Sequence, residues 1–191
     1  MKIIAFNGSP REKGNTDILL NTVMGEISKE GIETEIIQIG KHNLHGCIAC
    51  GMCKENKDKK CVISHDKLNE YLAKMIDADG IILGSPVYFS DVTSNIKSLM
   101  DRAGYVGRAN GDLFKYKLGA GVVAVRRAGA MHTFDTLNHF FLINHMIVPG
   151  SSYWNIGIGR DPGDVSNDAE GLQTMVNLGK NIVWLLKKIK Q

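Results

Sequence analysis

The chain has 191 residues, 43% of them hydrophobic and 23% charged, with a formal net charge of +3. That length supports a substantial core in one domain, residues 1–191, and the composition is that of an ordinary globular protein. The small, mixed charge lacks the clustered basic face that nucleic acid demands. No apolar run approaches the ~20 residues that span a bilayer, and Met1 leads straight into Lys2–Phe6 rather than a secretory leader. The expected setting is the cytoplasm, with no nucleic-acid or membrane partner.

Strand and helix patterns then alternate along the chain. Lys2–Phe6 is a short apolar run ending at Asn7-Gly8. Thr16–Lys29 carries Ile18, Leu19, Val23, Met24 and Ile27 at helical spacing, and Gly31 stops it. Glu33–Ile39 is β-branched and ends at Gly40. An irregular stretch, His42–Ser64, holds all the cysteines. Asp66–Ala78 reads as a helix with Leu68, Tyr71, Leu72, Met75 and Ile76 on one face. Gly80–Leu83 is a buried strand, and Thr93–Arg102 a helix with Ile96, Leu99 and Met100 inward. Leu118–Val125 is a glycine-tolerant strand, Met131–Asn144 a helix, and Met146–Val148 begins a fifth strand stopped by Pro149-Gly150. Ala169–Lys190 closes the chain as a long helix. Five buried strands alternating with helices imply an α/β fold, a parallel sheet covered on both faces. The long irregular stretches His42–Ser64, Gly104–Lys117 and Ser151–Asp168 are the places to look for function.

Cys47, Cys50, Cys53 and Cys61 form a C-x2-C-x2-C-x7-C run. Three thiolates at consecutive short intervals can wrap one face of a compact inorganic cluster, and a fourth from the following loop can close it, as in ferredoxin-type ligation. A disulfide framework is disfavoured in a reducing compartment. Zinc sites usually pair two C-x2-C units across a longer loop. Zinc and metal-free thiols both stay open at this point. The spacer Lys54–Lys60 mixes signs and reads as a solvated loop, although its lysines suit an acidic redox partner.

The first strand runs into Asn7–Thr16, and a helix begins there. This is the carboxyl end of a strand, where doubly wound folds bind ligands, and a helix start suits phosphate. Ser9, Asn15 and Thr16 add side-chain donors and Arg11 adds charge. Capping by Asn15 or Thr16 is the plainer role for part of this loop. A P-loop is absent because Asn15-Thr16 follows Gly14 without a lysine, and a dinucleotide fingerprint fails at Pro10. Gly84–Asp91 follows the third strand with a stiffening proline and two adjacent aromatics, able to hold a flat ring or to act as a packed turn. Arg126–Ala130 follows the fourth strand, where small residues permit close approach to a ligand and the arginines permit a solvated basic turn. The six histidines lack metal-ligand spacing and read as surface or capping residues, and Trp154 and Trp184 as packing residues.

GSPREKGNT at Gly8–Thr16 and GSPVYFSDVTSNIKSLMDR at Gly84–Arg102 together resemble the flavodoxin-like NAD(P)H-dependent FMN reductase superfamily. With the four cysteines, the whole chain is similar to its iron–sulfur flavoproteins. The resemblance implies a flavodoxin-like sheet of order 2-1-3-4-5 with FMN at its carboxyl edge and a 4Fe-4S cluster on Cys47, Cys50, Cys53 and Cys61. Ser9, Arg11, Asn15 and Thr16 would hold the phosphate. Pro86, Val87, Tyr88 and Phe89 would line the isoalloxazine, and Arg127, Ala128 and Gly129 would approach the ring. It further implies NAD(P)H as an electron donor, a ferredoxin or small-molecule partner, and a homodimer or homotetramer. Ser90-Asp91 departs from the family, where glycine commonly follows the aromatic, and Arg126-Arg127 replaces a glycine-rich stretch. The competing functions are a cluster-free NAD(P)H-dependent FMN or quinone reductase and a non-enzymatic flavin electron carrier.

Overall fold

Every strand of the central sheet is parallel to its neighbours. In the computed structural model, which describes residues 1–190, β1 (Lys2–Asn7) lies between β2 (Glu33–Gln38) and β3 (Gly80–Pro86). Beyond β3 lie β4 (Leu118–Val125) and β5 (Ile156–Ile158), giving the order 2-1-3-4-5. Gln191, the last residue of the expected domain, lies outside the described residues. Alternation along each strand sorts the core into two halves. Ile3, Ala5 and Ile82 meet Leu19, Leu20 and Val23 of α1 (Asn15–Ser28) and Leu178, Ile182 and Leu186 of α6 (Ala169–Ile189). Ile4, Phe6, Ile81 and Leu83 share the opposite cluster with α3 (Leu68–Asp77), α4 (Ser94–Ala109) and α5 (Ala130–Ile143). Helices therefore cover both faces, as the buried character of all the inner strands requires. Among the described residues no helix is long and apolar enough to cross a membrane.

Most boundaries shift by one to three residues, and three differences from the expectation are larger. The helix expected over Thr93–Arg102 continues to Ala109 because Ala103, Val106 and Gly107 prolong its buried stripe. The cysteine stretch contains a short helix, α2 (Met52–Asn56), with no buried residue. The fifth strand is split. Ile147 does pair with Leu118, its N–H donating to Lys117 O at 2.9 Å and its carbonyl accepting from Gly119 N at 3.0 Å. Pro149 has no N–H to continue that ladder, and pairing resumes only at β5, where Ile156 faces Val123. The strand proper thus sits in a stretch expected to be irregular, and a single 3-10 turn, Asp164–Asn167, follows it.

Candidate functional site

Three loops leave the carboxyl ends of β1, β3 and β4 on one edge of the sheet, beside the point where the chain order reverses. The β1 loop is clamped to the β3 loop. Gly8 N donates to Gly84 O at 2.8 Å, and the buried Thr93 hydroxyl donates to Gly8 O at 3.1 Å. Thr93 N in turn donates to the Ser85 hydroxyl. A side chain at position 8 would meet Thr93 Oγ1 at 2.8 Å, so this crossing requires glycine. Ser9 is buried, its N–H donating to Asn7 Oδ1 and its hydroxyl accepting from Arg11 N. The turn is thereby fixed and the Arg11 side chain is left in solvent.

At the start of α1, Gly14 is the N-cap and no side chain caps the helix. The N–H groups of Asn15, Thr16 and Asp17 make no hydrogen bond among the described residues. Uncapped first-turn donors with the positive end of the helix dipole are what an anionic group needs. Thr16 is buried, and its hydroxyl likewise has no partner among the described residues. The Asn15 amide is differently engaged. Its Nδ2 donates to Asp161 O at 3.0 Å, and its Oδ1 accepts from Gly163 N at 2.9 Å and Val165 N at 3.3 Å. What Asn15 offers a ligand is its main-chain N–H.

Pro86 and Val87 are partly buried at the end of β3, and Val87 N donates to Ala124 O. Tyr88 and Asp91 then exchange main-chain hydrogen bonds of 2.8 and 3.0 Å around a two-residue turn. Phe89 and Ser90 both carry left-handed φ angles, 47° and 65°. That geometry is a hairpin turn normally filled by glycine or asparagine, and it leaves the Phe89 ring fully exposed at the site's rim. The loop after β4 abuts this turn. Gly129 has φ 87°, and a Cβ there would lie 2.9 Å from Ser90 Oγ and 3.1 Å from Val87 Cγ1. Arg126, Arg127 and Ala128 are exposed beside it. The structure therefore brings the β3 and β4 loops into contact with one another and the β1 loop into contact with the β3 loop.

The four cysteines line a single cavity of about 230 Å³ at the outer side of α4, with Ile63, Arg102 and Tyr105. Cys47 and Cys50 are exposed, while Cys53 and Cys61 are half-buried. Burial pushes the Cys53 thiol up, and the nearby Cys50, Cys61 and Cys47 push it further, its main-chain hydrogen bond opposing them. Sequence reasoning passed over the residues that hold this loop. Asn69 accepts from Cys61 N at 2.8 Å and donates to Cys61 O at 2.9 Å. Asn110 accepts from Lys59 N. Arg102, fully buried in α4, donates to Cys61 Sγ, Asp66, His45 O and Ile63 O. Burial opposes ionisation of Asp66, but Arg102 and the N–H groups of His45 and Leu68 outweigh it and hold the carboxyl below the usual range. The signal for Arg102 was present in the sequence, because it stands three residues after Leu99 and four before Val106 on the buried stripe. Among the described residues no group of three His, Cys, Asp or Glu is arranged around a point where one metal ion would sit. A polynuclear cluster holds its thiolates farther apart than a single ion does, and all four thiols line the one cavity.

A sequence profile of the family described as NADPH-dependent FMN reductase matches residues 1–161. An iron–sulfur flavoprotein of Methanocaldococcus jannaschii is 44% identical over 198 residues, covering 100% of both chains. Another, of Methanosarcina thermophila, is 32% identical over 193 residues, covering 100% of this chain and 98% of its own. Among solved structures, RosB with bound 8-demethyl-8-formylriboflavin-5'-phosphate matches with a TM-score of 0.80 at 18% identity, over 100% of this chain and 80% of that one. A flavodoxin from the domain Archaea matches at 0.64, over 98% of this chain and 99% of its own. These two likenesses bear on the fold, which is flavodoxin-like. Whole-length identity and the profile together show that the chain belongs to the NADPH-dependent FMN reductase family of flavin oxidoreductases, in its iron–sulfur flavoprotein group.

Proposed function

We propose that this flavin-dependent oxidoreductase binds FMN at the edge formed by the β1, β3 and β4 loops and a 4Fe-4S cluster on Cys47, Cys50, Cys53 and Cys61, passing electrons between them and an external partner. The observation that carries the reading is the convergence of all four thiols on one cavity. The residues fit both groups. The unpaired N–H groups of Asn15, Thr16 and Asp17 and the partnerless Thr16 hydroxyl suit a phosphate. The Val87–Phe89 segment and Gly129 offer an aromatic rim and close main-chain approach for a flat ring. Thiolate donors suit iron–sulfur ligation.

When bound, FMN supplies hydride or single-electron chemistry and the cluster supplies single-electron chemistry. The chain's own contribution is placement. Gly8, Thr93 and Ser85 lock two loops together, and Asn15 ties the Asp161–Val165 segment to the start of α1, where the phosphate would bind. Asn69, Asn110 and Arg102 hold the cysteine loop against α4. The family's nicotinamide donor is carried over to this chain as its electron source. Lys54 beside the cysteine cavity, with Lys57, Lys59 and Lys60 on the same loop, favours an acidic acceptor such as a ferredoxin. A groove of about 850 Å³ between α4 and α5, floored by Met100 and Phe140 with Tyr105 and Ile143 exposed, supports self-association. The test is visible absorption of anaerobically purified protein. A broad absorbance beneath the flavin bands, lost in Cys50→Ser, is expected. Flavin bands alone would leave a cluster-free flavin reductase.

A further inference from the structure

Arg102 spends its whole guanidinium on one loop. Nε donates to Cys61 Sγ at 3.3 Å, Nη1 to His45 O at 3.1 Å and Asp66 Oδ2 at 2.5 Å, and Nη2 to Ile63 O at 2.9 Å. Its side chain is 0% exposed and that of Asp66 3%. A buried ion pair seldom stabilises a fold more than apolar residues of equal volume. Leu99, Ala103 and Val106 around it show that this stripe of α4 otherwise takes apolar residues. The arginine therefore calls for a reason beyond packing, and among the described residues its one hydrogen bond outside main chain and carboxylate goes to a cysteine sulfur.

We propose that Arg102 is a positioning residue that raises the reduction potential of the cluster through its hydrogen bond to Cys61, with Asp66 as the opposing charge that sets how far. This rests on the cluster reading above. The couple is one electron added to the cluster and its thiolates, with no proton moved and no bond made or broken. The added negative charge spreads onto sulfur, so a charge-assisted N–H at Cys61 stabilises the reduced form more than the oxidised one. The Arg102 and Asp66 side chains are shielded from solvent, so their interaction is weakly screened. Asp66 sits behind the guanidinium and withdraws part of its field. The contact at Cys47 is a neutral main-chain one, from Ala49 N at 3.4 Å.

The two partners give opposite signs. Arg102→Lys keeps the charge but not the fork that reaches Cys61 and Asp66 together. It should make reduction about tenfold less favourable, a fall of ~59 mV for one electron. Asp66→Asn leaves the guanidinium unopposed and should shift the potential upward. A purely structural role predicts reduced iron content in both variants with an unchanged potential in the loaded fraction, and that result overturns the proposal. Where a variant fails to fold or load, wild-type protein labelled with 15N-arginine decides. Pulsed electron paramagnetic resonance of the reduced cluster should show a weak 15N coupling, and its absence overturns the assignment. Iron and sulfide are assayed first on the wild type. A wild-type chain without iron sinks the cluster reading and this proposal together, whereas a loaded cluster with unshifted potentials sinks this proposal alone.

Discussion

The side chain of Asn15 and the main chain of Gly163 meet across 148 positions of sequence, Oδ1 accepting the Gly163 N–H at 2.9 Å. The same amide donates to Asp161 O, so the first residue of α1 fastens the segment after β5 over the loop after β1. Its Oδ1 also accepts from Val165 N, so Asn15→Ala removes three contacts at a cost of about 0.5–1.5 kcal/mol each. Hydrogen exchange should accelerate across Asp161–Val165, and FMN affinity should fall. Unchanged exchange there would show that the tether holds nothing.

Thr16 offers a cleaner test of the phosphate site. Its hydroxyl has no partner among the described residues, so Thr16→Val should remove a ligand contact without breaking an internal one. FMN affinity should weaken about tenfold, ~1.4 kcal/mol, while the melting temperature of the flavin-free protein stays within about a degree or two of wild type. Titration of the apoprotein by flavin fluorescence gives the first number and calorimetry the second. Wild-type affinity would place the phosphate elsewhere.

The turn at Phe89-Ser90 separates strain from function. Ser90 at φ 65° is held in the left-handed region that glycine and asparagine adopt more readily, so Ser90→Gly should stabilise the fold by about 1 kcal/mol. Phe89 is wholly exposed, and Phe89→Ala should change stability by no more than about 0.5 kcal/mol. Its effect should instead be on quenching of the bound flavin and on the flavin midpoint potential. If both stay at wild-type values in Phe89→Ala and Tyr88→Ala, the ring does not lie on this turn.

Acid stability reads the Asp66 pair. Asp66 titrates below its ordinary range in the folded chain, so its contribution is complete above the unfolded value near 3.9 and is lost as pH falls through the lowered folded value. In the metal-free protein, Asp66→Asn should therefore lose stability at pH 7 and show a flatter decline below about pH 4. Breaking a buried pair at one partner costs about 3–5 kcal/mol. Urea denaturation across that window checks both features, and a wild-type slope in the variant would mean that other carboxylates control the acid limb.

Much of this was legible in the sequence, for definable reasons. Strands such as Lys2–Asn7 announce themselves because alternate residues enter opposite cores, and Gly8, Gly84 and Gly129 mark the loops that crowd together at the edge. The split fifth strand was harder. Met146–Val148 has the right apolar pattern, but Pro149 stops the ladder and a three-residue strand carries too short a pattern to read alone. The supports of the cysteine loop were hidden because Asn69, Asn110 and Arg102 act across 8 to 57 positions. Asn15 reads as a helix cap or phosphate donor until its partners, 146 to 150 residues away, are seen.

The central claim is that one chain holds both a flavin and a four-thiolate cluster, and elemental analysis tests it most directly. Protein purified or reconstituted under strict anaerobiosis should contain about one FMN with about four irons and four acid-labile sulfides per chain. Iron and sulfide should fall on Cys50→Ser while FMN is retained. Stoichiometric zinc, or flavin with no metal under the same conditions, would contradict the account and leave a cluster-free flavin reductase.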